Sequence, residues 1–342
     1  MTYLPVSIDL THGQIEIVDL SSATFEEPFF RDTVERTRRE HPDQLPFMMD
    51  LPTFLLRAGS RQVSPDAFVF HVGRCGSTLL TNMLVRGGDY IAVKEPDIVN
   101  ELAAAWLIAM DELRPQVELV TAAVLRILLG AIDSPRRRLL KLAAWNLQMA
   151  TALLKMFPET AAAFVFRSPY ETVASQLHKP PPWLDIIDAP RSTQGLYFPS
   201  ITEIPDGKHV SPTVLFAHAW RSAVEAARSI PAGRLIYIGY DNLVEEPMLT
   251  LRQLLHHWGH PHKDDVLAEM LEVLSVYSKD PKGREHFDPR GSHSRPELSI
   301  TQRSEVNAVT GELWRELQAR GPSVQKSSFS DGSKAPASDN AR

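Results

Sequence analysis

The 342-residue chain is long enough for one large hydrophobic core, since 43% of its residues are hydrophobic. Its formal net charge of −6 gives no basic field that would favour nucleic acid or an acidic membrane surface as a partner. A single cysteine excludes an internal disulfide and a cysteine-based zinc cluster. No apolar run approaches the ~18 residues of a membrane helix. We therefore expect a cytoplasmic protein in which any anion-binding site is local.

Residues 1–64 are predicted to form an N-terminal extension packed on the core. Apolar and polar residues alternate over residues 1–20, which predicts a small hairpin. Residues 24–60 are charged and predict helices, with Phe25 and Phe29 among the candidate anchors. A structural role is the main expectation for this extension, and a contribution to a substrate pocket is the alternative.

The segment from Asp66 to Leu84 predicts a strand, a tight loop and a helix. The loop reads Gly-Arg-Cys-Gly-Ser-Thr, and its glycines allow backbone conformations that are closed to other residues. The first amides of the following helix have no intrahelical partners, and the helix dipole adds positive potential. Such a loop is predicted to bind a phosphate-like anion, and a glycine turn into a helix with no ligand is the alternative. Its candidate ligands are Gly73, Arg74, Cys75, Gly76, Ser77 and Thr78.

This loop differs from the one that holds nucleoside triphosphates with magnesium. That loop has four residues between its glycines and ends in Gly-Lys-Ser/Thr. Here only two residues separate Gly73 from Gly76, and no lysine follows. A kinase that uses ATP and magnesium is therefore the less favoured alternative.

Four further apolar runs predict strands that alternate with helices. With the first strand they indicate an α/β domain of the P-loop type, built on a central parallel sheet of about five strands. We place this domain at residues 65–321, followed by a disordered tail at residues 322–342. The four runs are residues 90–93, 138–143, 161–166 and 234–238.

Charged residues stand at the ends of these strands, where open parallel sheets bind ligands. Lys94 and Glu95 end the second strand, because a proline stops it. Lys141 lies in the otherwise apolar third strand, where a buried charge is costly unless it meets an anion. The alternative is a lysine whose stem is buried and whose head reaches solvent. Arg167 ends the fourth strand, and Ser175 follows about two turns into the next helix.

Three motifs together resemble the sulfotransferases that use 3′-phosphoadenosine 5′-phosphosulfate (PAPS). The glycine loop resembles their 5′-phosphosulfate loop, with Cys75 in place of the usual serine. Arg167 and Ser175 match the arginine and serine that grip the 3′-phosphate in the family. The phrase that begins at Tyr240 matches Tyr-Glu-Asp-Leu, whose tyrosine lies beside the adenine. The resemblance covers roughly residues 66–260.

This resemblance implies PAPS as the donor, 3′-phosphoadenosine 5′-phosphate (PAP) as the product, and no metal. The family also places a basic loop with glycine over the nucleotide. The residues that match it are Lys282, Gly283 and Arg284, with a solvated loop as the alternative.

The resemblance also implies a choice of general base. Many cytosolic members use a Lys-Thr-His phrase on the third strand, but here the phrase from Lys141 reads Lys-Leu-Ala. Carbohydrate-directed members use a glutamate a little over twenty residues after the basic residue of the loop, and Glu95 lies at that distance from Arg74. This implies Glu95 as base, with Lys141 and Arg74 bearing on the transferred group. We expect partial burial to raise the pKa of Glu95. We expect the charges of Lys94 and Lys141 to limit that rise.

Other roles stay open for these residues. The alternative for Glu95 is an exposed strand-end carboxylate or a salt bridge to Lys94. His71 and His178 are rival bases, and His178 is the stronger rival because His71 lies in a strand. An assay is needed to separate an enzyme from a non-catalytic module that binds PAP or PAPS.

The proline-rich stretch at residues 178–213 is predicted to be an irregular lid or acceptor-binding loop. A surface insertion without substrate contact is the alternative. We expect its aromatic residues Trp183, Tyr197 and Phe198 to line the acceptor pocket. The acceptor is expected to be a small hydroxylated metabolite or a carbohydrate, because an acidic chain repels a long polyanion. The sequence leaves a homodimer open.

Overall fold

Two sheets organise the chain in a computed structural model that describes residues 2–60, 63–132, 134–275 and 297–319. A three-stranded antiparallel sheet lies near the N-terminus, and a five-stranded parallel sheet forms the centre of the main domain. Within these ranges no helix combines the length and the apolar character needed to cross a membrane.

The N-terminal sheet confirms the predicted hairpin and adds a strand to it. Strands β1 and β2 pair antiparallel, and β3 pairs with the other side of β2. The prediction of helices throughout residues 24–60 is therefore wrong at β3. This short strand forms by pairing with distant residues, which a local pattern does not reveal. The elements are β1 (Tyr3–Asp9), β2 (Gln14–Asp19), α1 (Phe30–Glu40), β3 (Phe47–Asp50) and α2 (Leu51–Gly59).

The main domain alternates strands and helices, as its sequence pattern predicts. Its strands are β4 (Ala67–His71), β5 (Tyr90–Lys94), β6 (Arg137–Lys141), β7 (Ala161–Phe166) and β8 (Ile236–Gly239). Its α-helices are α3 (Ser77–Arg86), α4 (Asp97–Ile108), α5 (Arg114–Gly130), α6 (Ala150–Met156), α7 (Pro169–His178), α8 (Arg191–Tyr197), α9 (Pro212–Arg228), α10 (Tyr240–Glu245), α11 (Pro247–His257), α12 (Asp264–Leu271) and α13 (Ile300–Ala319).

The strand order places the first strand of the main domain at the centre of the sheet. The order is β5-β6-β4-β7-β8, and every neighbouring pair is parallel. The predicted α/β fold is confirmed. The chain first moves to one side of β4 and then to the other, so the carboxyl end of β4 is a topological switch point.

The core of the domain surrounds β4, whose five residues are all buried. Phe68 and Phe70 on β4 pack with Phe164 on β7 in the same hydrophobic cluster. Leu4 and Ile15 of the N-terminal sheet belong to that cluster as well. The N-terminal segment therefore shares its hydrophobic core with the parallel sheet.

Residues 178–213 are more regular than the sequence suggests. They contain α8 and two 3-10 helices, Pro182–Asp188 and Pro199–Glu203. Prolines stand at or just before the start of each of these helices, where a missing N–H costs nothing. The expectation of an irregular stretch is wrong because these prolines begin short helices.

Candidate functional site

The loop between β4 and α3 has the strained backbone that an anion-binding loop needs. Gly73 and Gly76 have φ angles of 81° and 83°, and the intervening Arg74 has a φ of 47°. Helix α3 begins directly after Gly76, so its first amides face the space above the loop. Ser77 and Thr78 are buried and line a cavity beside the loop.

The second and third sequence motifs lie against this loop. A Cβ atom on Gly76 would lie 2.8 Å from Cδ2 of Tyr240, so only glycine fits beneath that ring. The guanidinium carbon of Arg167 lies 4.2 Å from the centre of the same ring. Arg167 also pairs with Glu171 at 3.0 Å, and Ser175 lies half-buried on α7. The structure thus brings Gly76, Tyr240 and Arg167 into one continuous surface.

The side chain of Cys75 faces away from the loop. Its thiol is fully buried and donates to the backbone oxygen of Val165, with Sγ 3.1 Å from that oxygen. Burial raises the pKa of this thiol to about 11. At this position the backbone is therefore the part available to a ligand, because the side chain packs in the core.

A cavity of about 330 Å³ opens beside the loop at the carboxyl ends of β4 and β6. It brings together the predicted residues Arg74, Glu95 and Lys141. Its lining is Phe29, His71, Gly73, Arg74, Ser77, Thr78, Glu95, Lys141, Ala143, Ala144, Gln176, Lys179, Pro180, Pro181, Pro182 and Trp183.

Glu95 lies between two basic side chains. The ammonium group of the buried Lys141 contacts Oε1 of Glu95, and Nε2 of His71 lies 3.4 Å from the same oxygen. The backbone N–H of Gly73 donates to Nδ1 of His71 at 2.9 Å. Because Nδ1 accepts this hydrogen bond, the ring carries its proton on Nε2, toward Glu95.

The pKa of Glu95 is lowered, so the expectation that it is raised is wrong. Burial acts to raise the pKa, but Lys141 and then His71 outweigh burial and bring it to about 2. Lys94 has a different role, because its ammonium donates to the backbone oxygen of Glu27 and to Oδ1 of Asn82, both at 3.1 Å. Sequence alone could not show that one lysine contacts the carboxylate while its neighbour turns away.

His71 rather than His178 lies at the site, contrary to the ranking from sequence. His71 is buried and lines the cavity, whereas His178 is exposed at the end of α7 and is absent from the lining among the described residues. The sequence placed His71 in a strand, which is correct. It is, however, the last residue of β4, where side chains reach the ligand edge.

Sequence reasoning did not single out Phe29, Gln176 or Lys179 as residues of the cavity. The ring of Phe29 has its centre 5.7 Å from Nζ of Lys141. Gln176 is buried, and its Oε1 has no hydrogen-bond partner among the described residues. The backbone oxygen of Lys179 accepts a hydrogen bond from Arg74 at 2.7 Å. Two of these residues carried a signal, because Gln176 follows Ser175 directly and Lys179 lies in the stretch 178–213 that is predicted to bind the acceptor.

Of the three aromatic residues expected to line the pocket, Trp183 does so. The other two, Tyr197 and Phe198, pack against neighbouring aromatic rings instead. Phe198 is buried, with its ring centre 5.0 Å from that of Trp183, and Tyr197 packs edge-on against Trp145 at 5.1 Å.

A second cavity, of about 370 Å³, adjoins Arg167 and Tyr240 at the ends of β7 and β8. Helix α13 supplies Trp314 to its wall. The predicted basic loop at Lys282, Gly283 and Arg284 lies outside the described residues.

A glycine loop that starts a helix at the switch point of a parallel sheet, with an arginine beyond it, defines an α/β protein that binds phosphate-like groups. The family model described as "Sulfotransferase family" matches residues 65–264. The chain therefore belongs to the sulfotransferase family, and the sequence prediction of a sulfotransferase is confirmed.

Solved structures with a similar fold include three sulfotransferases. One from Mycobacterium avium is 12% identical, with a TM-score of 0.46, and the match covers 83% of this chain and 81% of that one. A mouse sulfotransferase complexed with PAP is 12% identical, with a TM-score of 0.42 and coverage of 80% and 93%. The sulfotransferase domain of the curacin biosynthetic pathway is 16% identical, with a TM-score of 0.40 and coverage of 75% and 99%. A search of curated proteins finds no significant match.

The contact between Gly76 and Tyr240 predicts the effect of Gly76→Ala. An L-residue at this φ costs about 1–2 kcal/mol, and the new Cβ also displaces Tyr240. We expect weaker PAP binding in titration calorimetry, together with a lower free energy of unfolding in urea.

Gly88→Ala is the matched control, because Gly88 has a φ of 84° and no atom within 4 Å of its added Cβ. It should lose stability through strain alone and bind PAP as the unmodified protein does. Equal PAP affinity in both variants would contradict a role for the Gly76–Tyr240 contact.

Proposed function

We propose that the protein transfers a sulfuryl group from PAPS to a hydroxyl group of an acceptor, with Glu95 as general base. The observation that carries the proposal is the position of Glu95. It contacts Lys141, which lowers its pKa, and it lines the same cavity as the glycine-loop residues within 73–78. The acceptor is a small molecule or a carbohydrate that reaches this cavity.

The residues present fit the donor. The oxygens of a phosphosulfate group accept hydrogen bonds, and the loop offers amides of α3, the hydroxyls of Ser77 and Thr78, and the charge of Arg74. Tyr240 offers a flat ring for the adenine. Arg167, stacked on that ring, is a cation for a second phosphate. When bound, PAPS supplies the sulfuryl group and leaves as PAP.

Glu95 accepts the proton of the acceptor hydroxyl, which makes the hydroxyl oxygen a better nucleophile. A carboxylate with a pKa of about 2 is fully ionised at neutral pH but is a weak base. Its basicity depends on Lys141, the charge that holds the pKa down. When the Lys141 ammonium turns toward the negative charge that develops on the donor, Glu95 loses this partner and becomes a stronger base.

Lys141 and Arg74 stabilise the charge that accumulates in the transition state. Lys141 is 1% exposed, and a buried cation interacts more strongly with a nearby anion than an exposed one does. Arg74 is held in place by its hydrogen bond to the backbone oxygen of Lys179. His71 lies on the other side of the Glu95 carboxylate, with Nε2 3.4 Å from Oε1.

The donor is tested by titration of the protein with PAP in the presence of a chelator, with Arg167→Ala as the variant. We expect tight binding to the unmodified protein and a loss of more than about tenfold in the variant, because a charged hydrogen bond is removed. Arg252→Ala is the control, since Arg252 pairs with Asp264 on the surface. Binding of ATP with magnesium, with no gain from a 3′-phosphate, would favour a kinase instead.

The base is tested with Glu95→Gln, which keeps the size of the side chain and removes its proton acceptor. We expect kcat for sulfuryl transfer from PAPS to fall by about 10²–10⁴-fold, with PAP bound at least as tightly, because Lys141 then lacks the carboxylate that compensates its charge. The exposed Glu112→Gln serves as the control. If Glu95→Gln retains activity while His71→Asn loses it, His71 is the base.

The role of Lys141 is tested by the pH dependence of kcat/KM. The pKa of Glu95 is about 2, so in the unmodified enzyme Glu95 causes no loss of activity between pH 4 and neutrality. In Lys141→Met the main lowering charge is gone and burial prevails, so the pKa should rise above its usual 4.5. Residual activity should then fall as the pH drops through that higher value.

Lys141→Arg keeps the positive charge and should keep the acid limb of the unmodified enzyme. An acid limb at the same pH in the Met and Arg variants would show that Lys141 does not control the titration of Glu95.

A further inference from the structure

The cavity beside the glycine loop has a mostly apolar lining apart from two groups of residues. These are the glycine-loop residues within 73–78 and the cluster of His71, Glu95 and Lys141. Elsewhere in the lining the polar side chains are Gln176 and Lys179. The apolar residues are Phe29, Ala143, Ala144, Pro180, Pro181, Pro182 and Trp183. An acceptor whose hydroxyl reaches Glu95 therefore places the rest of its surface against hydrocarbon and aromatic rings.

Phe29 is fixed to the edge of the sheet although it comes from the N-terminal segment. Lys94 and Lys141 are register partners on β5 and β6, so their side chains leave the same face of the sheet. Lys94 donates to the backbone oxygens of Glu26 and Glu27, at 3.4 and 3.1 Å. Lys141 lies beneath the ring of Phe29. The two lysines thus hold this part of the segment in place.

Trp183 is held in place by aromatic side chains that come later in the chain. Its ring centre lies 5.0 Å from that of Phe198 and 5.6 Å from that of Phe216. It also lies in the first turn of the 3-10 helix Pro182–Asp188. Two aromatic walls from separate segments are therefore held in place around the same cavity.

We propose that the acceptor is an uncharged, mostly apolar alcohol or phenol that packs against Phe29 and Trp183. This inference rests on the proposed sulfotransferase function and narrows its acceptor class. A sugar would bring several hydroxyl groups, and the apolar part of the lining offers few partners to replace the water they lose. The whole cavity, including the part beside the loop that would hold the donor's phosphosulfate, is about 330 Å³, at the small end of ligand pockets, so the acceptor is small.

The first measurement is binding of two probe alcohols to the PAP complex of the full chain. 2-Naphthol represents the apolar class, and methyl glucoside represents the sugar class. We expect 2-naphthol to bind at least about tenfold more tightly, because contact with aromatic side chains dominates affinity at such sites. Sulfuryl transfer from PAPS to each probe, measured as kcat/KM, should show the same order.

The variants Phe29→Ala and Trp183→Ala should each weaken 2-naphthol binding by about tenfold and raise its KM. PAP binding should stay within twofold, which also shows that each variant is folded. Phe47→Ala and Trp106→Ala are matched controls outside the cavity lining, and both should bind 2-naphthol as the unmodified protein does. Phe29→Leu, which keeps an apolar wall, should recover part of the affinity.

The outcomes distinguish an error in the acceptor class from an error in the proposed sulfotransferase function. If PAP binds but methyl glucoside is preferred, the apolar acceptor class is wrong and the sulfotransferase function stands. The same conclusion follows if neither aromatic variant changes 2-naphthol binding. If PAP does not bind and neither probe is sulfated, both the acceptor class and the proposed function are wrong.

Discussion

The contact between Lys141 and Glu95 is the interaction on which the chemistry of this site depends. Lys141 ends β6, an interior strand beside the central β4, and is buried, so its charge needs a compensating anion. Glu95 supplies that anion, and its backbone N–H donates to the backbone oxygen of Lys141 at 2.7 Å. The fold thus assembles a carboxylate and a cation as one unit. Their mutual attraction lowers the pKa of the Glu95 carboxyl and so favours its ionised form.

Backbone strain is concentrated around this unit. The non-glycine residues with positive φ in the described part of the chain are Phe25, Arg74 and Glu95, at 57°, 47° and 51°. Arg74 and Glu95 line the main cavity, and Phe25 precedes the segment that carries Phe29. Each such residue costs about 1–3 kcal/mol and persists only where its surroundings hold it. The core around β4 and the bonds of Lys94 supply that support.

The fold and the phosphate loop could be predicted because their signals are local. Glycines at 73 and 76 and the apolar runs of β4 to β8 specify strand, loop and helix through neighbouring residues alone. The pKa direction of Glu95 and the place of His71 could not be predicted, because they depend on which side chains meet across strands. The β3 strand escaped detection for a related reason, since it exists through its pairing with β2.

Lys94 and Lys141 show that a sequence pattern can place two side chains without determining their partners. Both lysines end strands, both are buried, and they are register partners. Lys94 nevertheless meets backbone oxygens and Asn82, so burial, followed by repulsion from Lys141, lowers its pKa to about 8. Lys141 meets a carboxylate instead. Lys94 therefore holds the wall of the cavity and Lys141 holds the Glu95 carboxylate, which makes the N-terminal segment part of the candidate site.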